Sequence, residues 1–159
     1  MNVYVDSSVL LRVVLGEPDR LELWSAITNP VSSELIRLEC LRTIDRARVR
    51  LGLDDRQIAN YRADVLEAID AFSLVALDSV VLERAAEPFP TALGSLDAIH
   101  LASAEQFGSD LRAFVTYDER LATVASARRA HRAANSPAAR SRRDCGWYRE
   151  GDAASPDRR

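Results

Sequence analysis

Val3-Tyr4-Val5-Asp6-Ser7-Ser8-Val9-Leu10-Leu11 is the stretch that decides the fold. Three β-prone residues end at an acid. Ser7 and Ser8 then precede Val9, Leu10, Leu11, Val13, Val14 and Leu15, and a hydroxyl ahead of an apolar periodic segment reads as a helix start. Gly16 and Pro18 close that helix. A strand that hands over to a helix within one or two residues opens a β–α unit.

The remainder of the chain repeats this alternation. A second helix is expected from about Pro18 to Thr28, with Leu21, Leu23, Trp24 and Ile27 as its apolar stripe. Asn29-Pro30 reads as a break and Val31-Ser32 as a minimal strand. Ser33 caps a long helix from about Glu34 to Leu51, with Leu35, Leu38, Leu41 and Ile44 at helical spacing. Gly52 ends it. Asp54 or Asp55 opens the next helix, through Ile69, with Ile58, Tyr61, Val65 and Leu66 inward. Phe72–Leu77 reads as a third strand. Asp78 or Ser79 caps a short helix to about Glu87, and a loop with Pro88, Pro90 and Gly94 follows. Ser95 caps a nearly all-apolar helix from Leu96 to about Phe107. Ala113–Thr116 is a fourth strand, and Tyr117-Asp118-Glu119 opens a last helix carrying Leu121, Val124 and Ala125. Short strands alternating with helices predict an α/β sandwich with a mostly parallel sheet.

The composition fits one globular domain: 159 residues, 47% of them hydrophobic. No apolar run reaches the roughly 20 residues that a membrane-crossing helix needs. The start of the chain is acidic within six residues, unlike a secretory signal, so a cytoplasmic location is expected. Cys40 and Cys145 lie in unlike contexts, which argues against a disulfide. Charge is unevenly spread, with 12 Arg against 20 acids up to residue 125 and 9 Arg against 4 acids beyond it. An acidic body suits recruitment of divalent cations better than phosphate-driven binding. All 21 basic residues are arginine, which excludes a Walker A phosphate loop and Schiff-base chemistry. Residues 1–125 therefore read as the domain. Residues 126–159 read as an Arg- and Ala-rich tail with no firm structure.

Four acids fall where chemistry is expected. In an open parallel sheet, ligands bind beyond the carboxyl ends of the strands. Asp6 ends the first strand and Asp118 follows the fourth. Asp97 sits in the first turn of the apolar helix, at about N2. On the long helix, Glu34 and Glu39 lie some 140° apart at roughly 100° per residue. They cannot share a face; Glu39 is the one beside the apolar side, and Glu34 reads as a first-turn acid favouring the helix dipole. Converging carboxylates without basic partners repel one another unless a cation neutralises them. Oxygen-only ligation points to Mg²⁺ or Mn²⁺. His100, one turn from Asp97, reads as a core histidine on a buried helix, and His131 carries no signal. Arg46, Arg48 and Arg50 read as a solvated helix face rather than as phosphate contacts.

In order along the chain, Tyr4-Val5-Asp6-Ser7-Ser8-Val9-Leu10-Leu11, Val31-Ser32-Ser33 with Leu38-Glu39-Cys40-Leu41-Arg42, Leu96-Asp97-Ala98-Ile99-His100-Leu101-Ala102, and Val115-Thr116-Tyr117-Asp118-Glu119-Arg120-Leu121 resemble the four motifs of PIN-domain ribonucleases, in particular the VapC toxins of toxin–antitoxin pairs. The resemblance covers about residues 1–125. It implies a PIN-like α/β/α sandwich and a Mg²⁺- or Mn²⁺-dependent endoribonuclease in which Asp6, Glu39, Asp97 and Asp118 are the catalytic, metal-holding carboxylates. It also implies that Ser7 or Thr116 orients a water or phosphate, and that the products carry a 5′-phosphate and a 3′-hydroxyl. Structured RNAs such as tRNA or ribosomal RNA are the implied substrates. A VapB-like antitoxin, held by the early helices, and a homodimer are the implied partners; the Leu23, Trp24 and Ile27 stripe is core unless partly exposed, in which case it is a partner surface.

The chain departs from the family pattern after the last helix. Relatives place a Val- or Ile-rich edge strand there, whereas Arg128-Arg129-Ala130-His131-Arg132 followed by Pro137 is no strand pattern. Other functions remain as alternatives: a PIN nuclease of RNA processing or structure-specific DNA cleavage, and a catalytically inactive PIN module that binds RNA or protein. A phosphatase-like fold is disfavoured by the missing lysine and by Ser8 where a second Asp would stand.

Overall fold

The computed structural model describes residues 2–17 and 21–135. Its sheet has four parallel strands in the order β3-β2-β1-β4: β1 (Asn2–Val5), β2 (Asn29–Ser33), β3 (Ser73–Val75) and β4 (Leu111–Val115). Six α-helices accompany it among the described residues: α1 (Ser7–Val14), α2 (Leu35–Leu51), α3 (Asp55–Asp70), α4 (Ser79–Ala86), α5 (Ser95–Glu105) and α6 (Glu119–Asn135). The mostly parallel sheet read from sequence is parallel throughout.

Strand residues alternate between the two faces of a sheet, and β1 does so cleanly. Tyr4 joins Phe114, Leu101, Leu121 and Val124 on the side of α5 and α6. Val3 and Val5 face the other way, with Val9, Leu21 and Val115. A further cluster holds α1, α2 and α3 together through Leu10, Ile36, Cys40, Ile44, Ile58 and Val65. The chain adds β2 and β3 on one side of β1 and then returns to add β4 on the other. The carboxyl end of β1 is thus a topological switch point, where open α/β sheets leave a crevice.

Several sequence expectations need correction. The helix expected over residues 18–28 is only a 3₁₀ turn, Glu22–Ala26; residues 18–20 and the side chain of Leu23 lie outside the described residues. Trp24 and Ile27 pack against the core, with Trp24 tilted over Phe72 at 6.3 Å. Asn29-Pro30 is the start of β2, not a break. Pairing with β3 begins only at Val31, so at Pro30 the strand is locally an edge, where a missing N–H is tolerated. On α2 the buried seam runs Ile36, Cys40, Ile44, Ala47, while Leu38 is 58% exposed; spacings of three and four permit two stripes, and packing selects this one. Ser95 does not cap α5. Gly94 occupies the N-cap, which puts Asp97 at N3 rather than N2.

Other caps agree with the sequence. Gly52 ends α2 at φ +64°, a conformation that glycine adopts without the Cβ penalty. Asp54 and Gln57 form a reciprocal capping box on α3. α6 continues to Asn135, so helix extends into the segment set apart by composition. The tail expected to lack firm structure otherwise comprises residues 136–159, which lie outside the described residues, as does Cys145; the side chain of His131 does too.

Candidate active site

Asp6 is the N-cap of α1, and one of its oxygens is fully engaged. Oδ2 accepts the Ser8 backbone N–H at 3.3 Å, the Ser8 hydroxyl, and the Thr116 hydroxyl at 2.9 Å. Thr116 Oγ1 in turn accepts the Asp118 N–H at 3.0 Å, and Ser8 Oγ accepts the Tyr117 N–H at 3.0 Å. Both hydroxyl protons are thereby committed to Asp6, which fixes its carboxylate plane. Oδ1 faces the rest of the cluster, 3.7 Å from His100 Nε2. Asp6 is 6% exposed.

Glu39 lies on the first half of α2, delivered by the short β2–α2 link. Ser33 Oγ accepts the Leu35 N–H at 3.0 Å and starts that helix. Glu39 Oε2 stands 2.7 Å from His100 Nε2. Burial pushes its carboxyl up, but the His100 hydrogen bond and charge, the Ser7 hydroxyl and the Arg46 guanidinium together hold it below the usual range. Glu34 stays exposed and turns elsewhere, its Oε2 accepting the Leu77 N–H at 3.3 Å. The separation of the two glutamates read from the helical wheel is therefore observed.

His100 is buried and hydrogen-bonded at both nitrogens. Nδ1 meets the Tyr4 hydroxyl at 2.9 Å, and that hydroxyl also accepts the Ser33 N–H at 3.1 Å. Burial pushes the imidazole pKa down, but Glu39, Asp6 and Asp97 outweigh it and hold the pKa above the ordinary value. The sequence reading of a core histidine is right about burial. It missed the contact with Glu39, which no spacing along the chain reveals, because 61 residues separate the two.

Asp97 and Asp118 stand nearby, at the starts of α5 and α6, but among the described residues only Asp6, Glu39 and His100 bring ligand atoms within 4.8 Å of one another. The Asp97 carboxyl is held above its usual range by burial first, then by Asp118 and Asp6, against a Gly94 backbone hydrogen bond and His100. Asp118 Oδ1 accepts the N–H groups of Arg120 and Leu121 at 2.8 and 2.9 Å and caps α6. Ser8 is the site residue that sequence reading left without a role; its signal was the place two residues after a capping Asp, where an Asx-type turn puts a hydroxyl against the carboxylate. Cys40 follows Glu39, but burial, Glu39 and Asp6 push its thiol up, so it offers no thiolate. Arg46 donates to Thr43 at 2.7 Å and Arg48 pairs with Asp55; both, with Arg50, are exposed.

These residues suit a hard divalent cation. Asp6, Glu39 and His100 each offer one ligand atom, all within 4.8 Å of one another. Among the described residues, no arginine forms an ion pair with Asp6, Asp97 or Asp118. Asp97, whose carboxyl is pushed up by burial and by Asp118 and Asp6, belongs to a crowded set of acids of the kind that a cation relieves.

The PIN domain family matches residues 3–127. Ribonuclease VapC47 of Mycobacterium tuberculosis is 35% identical over 126 residues, covering 75% of this chain and 86% of that protein. Ribonuclease VapC46 of the same organism is 35% identical over 126 residues, with 77% and 89% covered. Ribonuclease VapC35, also from M. tuberculosis, is 36% identical over 132 residues, with 79% and 90% covered.

Proposed function

This chain belongs to the PIN-domain family, and on that premise we propose that it is a Mg²⁺- or Mn²⁺-dependent endoribonuclease of the VapC type, the toxin of a toxin–antitoxin pair. The observation that carries this reading is the convergence of Asp6 and Glu39 on one buried histidine, with the Asp97 carboxyl pushed up by burial, Asp118 and Asp6. In this reading Asp6, Glu39, Asp97 and Asp118 hold the cation. A cation bound there supplies a water of lowered pKa and positive charge opposite the scissile phosphate.

The chain's own residues provide alignment. Ser8 and Thr116 engage Asp6 Oδ2 and leave Oδ1 for the cation. Ser7 and His100 hold Glu39, and the Gly94 backbone holds Asp97. Ser7 and Thr116 thus act on water and phosphate through the carboxylates they align. Cleavage leaves a 5′-phosphate and a 3′-hydroxyl on a structured cytoplasmic RNA, tRNA or ribosomal RNA. A VapB-like antitoxin restrains the enzyme, which works as a homodimer. No helix among the described residues is long and apolar enough to cross a membrane.

The test is cleavage of total bacterial RNA by the purified chain and by Asp97→Asn, with Mg²⁺ or Mn²⁺ and with EDTA. Discrete fragments, lost in the variant and in EDTA, are expected. A folded wild type that cuts nothing with either metal overturns the proposal.

A further inference from the structure

His100 lies in the middle of the acidic set, yet its near-complete burial keeps it from touching RNA. We propose that His100, braced by Tyr4, is a positioning residue that fixes the Glu39 carboxylate beside Asp6 in its cation-binding orientation; this rests on the metal-dependent nuclease reading above.

The geometry is a continuous hydrogen-bonded chain through three elements. Tyr4 of β1 is fully buried and stacked on Phe114, with ring centroids 4.8 Å apart and planes 7° apart. Its hydroxyl takes the Ser33 N–H from the end of β2 and meets His100 Nδ1. The imidazole stands edge-on to Tyr4, at 82°, and its far nitrogen reaches Glu39 on α2. A carboxylate can only accept, so Nε2 carries the proton and donates it. With both nitrogens engaged, the ring cannot flip without breaking the chain. An imidazole kept for packing alone would be replaceable by leucine at 1% exposure; this one spends its polar atoms on a site carboxylate. His100 also sits one turn beyond Asp97 on α5, so a single helix sets both the Asp97 carboxylate and the donor for Glu39. Partners that orient a metal-binding side chain commonly matter about 10–100-fold in metal affinity or activity.

The test uses the full chain as wild type, His100→Leu, His100→Gln and Tyr4→Phe, each checked for folding by circular dichroism and thermal melting. Mn²⁺ affinity is read by titration calorimetry, kcat and KM are read on RNA, and nitrogen coupling to bound Mn²⁺ is read by pulsed electron paramagnetic resonance. His100→Leu is expected to weaken Mn²⁺ binding or lower kcat at least about tenfold with KM for RNA unchanged. His100→Gln, which keeps an N–H donor near Nε2, is expected to restore most of the loss, with Tyr4→Phe between the two.

A folded His100→Leu with wild-type Mn²⁺ affinity and kcat overturns the inference. So does direct nitrogen coupling in the wild type with no rescue by glutamine, which would make His100 a ligand. A wild type that binds Mn²⁺ in a His100-dependent way but cleaves no RNA defeats the ribonuclease reading and leaves this inference standing. A wild type that binds no Mn²⁺ overturns both.

Discussion

Thr116 Oγ1 lies 2.9 Å from Asp6 Oδ2, although 110 residues separate the two along the chain. Parallel pairing of β1 with β4, which sets Val5 opposite Val115, creates this contact. The same hydroxyl accepts the Asp118 N–H, so one threonine holds the Asp6 carboxylate and the Asp118 backbone. Thr116→Val keeps the shape and removes both bonds. It is expected to lower Mn²⁺ affinity or kcat about tenfold and stability by about 1 kcal/mol, whereas Thr116→Ser should recover most of each. Calorimetric Mn²⁺ titration beside a urea melt checks this; a valine variant unchanged in both would refute it.

Asp97 is expected to trade stability for function. Its carboxyl is held above the usual range by burial, Asp118 and Asp6. The folded chain therefore holds this proton more tightly than the unfolded chain does. The associated stability is fully present below the unfolded pKa and is lost as pH rises through the raised folded value. In EDTA at neutral pH, Asp97→Asn should accordingly melt at or above the wild-type temperature while RNA cleavage disappears. Mn²⁺ should raise the melting temperature of the wild type more than that of the variant. Thermal scans with and without the metal decide the point.

Gly94 makes a narrower prediction. A Cβ there would stand 3.3 Å from Asp97 Oδ2, tight enough to displace the carboxylate by a few tenths of an ångström. The Gly94 φ of −67° is open to any residue. Gly94→Ala should leave the melting temperature nearly unchanged and lower kcat roughly three- to tenfold, because small misplacements at a reacting centre are costly. Equal activity in a folded alanine variant would show that Asp97 can move without penalty.

The Asp54 capping box offers the converse control. Asp54 and Gln57 bond reciprocally at 2.7 and 3.0 Å at the start of α3, and none of the four proposed site acids lies on that helix. Asp54→Ala should cost about 1 kcal/mol of stability with cleavage per folded molecule unaltered. Denaturant midpoints and single-turnover rates distinguish the two effects.

Much of this was legible in the sequence because it is local. Asp6 follows a β-run, Asp97 opens an apolar helix and Asp118 follows another β-run, so strand–helix alternation alone sends all three toward the same end of the sheet. Glu39 could be separated from Glu34 by the helical wheel. What the sequence hid is contact across distance. The Tyr4–His100–Glu39 chain joins residues far apart in order, and both Tyr4 and His100 look like ordinary core residues in isolation. Ser8 was obscured by Ser7, since either could cap α1. The stripe on α2 was misplaced at Leu38 because spacings of three and four fit two faces, and only packing against α1 and α3 chooses between them. The 3₁₀ turn at Glu22–Ala26 replaced a helix that apolar spacing alone suggested.

The placement of β4 has a consequence for biosynthesis. The Asp6 N–H bonds to Val115 O at 3.1 Å, and its carboxylate is set by Thr116 together with Ser8, so the first acid to leave the ribosome depends on the last of the described strands. A nascent chain that has emerged through α5 already displays Asp6, Glu39 and Asp97, but Asp6 then has only its Ser8 bonds and lacks those from Val115 and Thr116. The Asp6 arrangement is therefore complete only once Thr116 has been made, and on the proposed ribonuclease-toxin reading truncated or prematurely released products should be harmless to the cell that makes them.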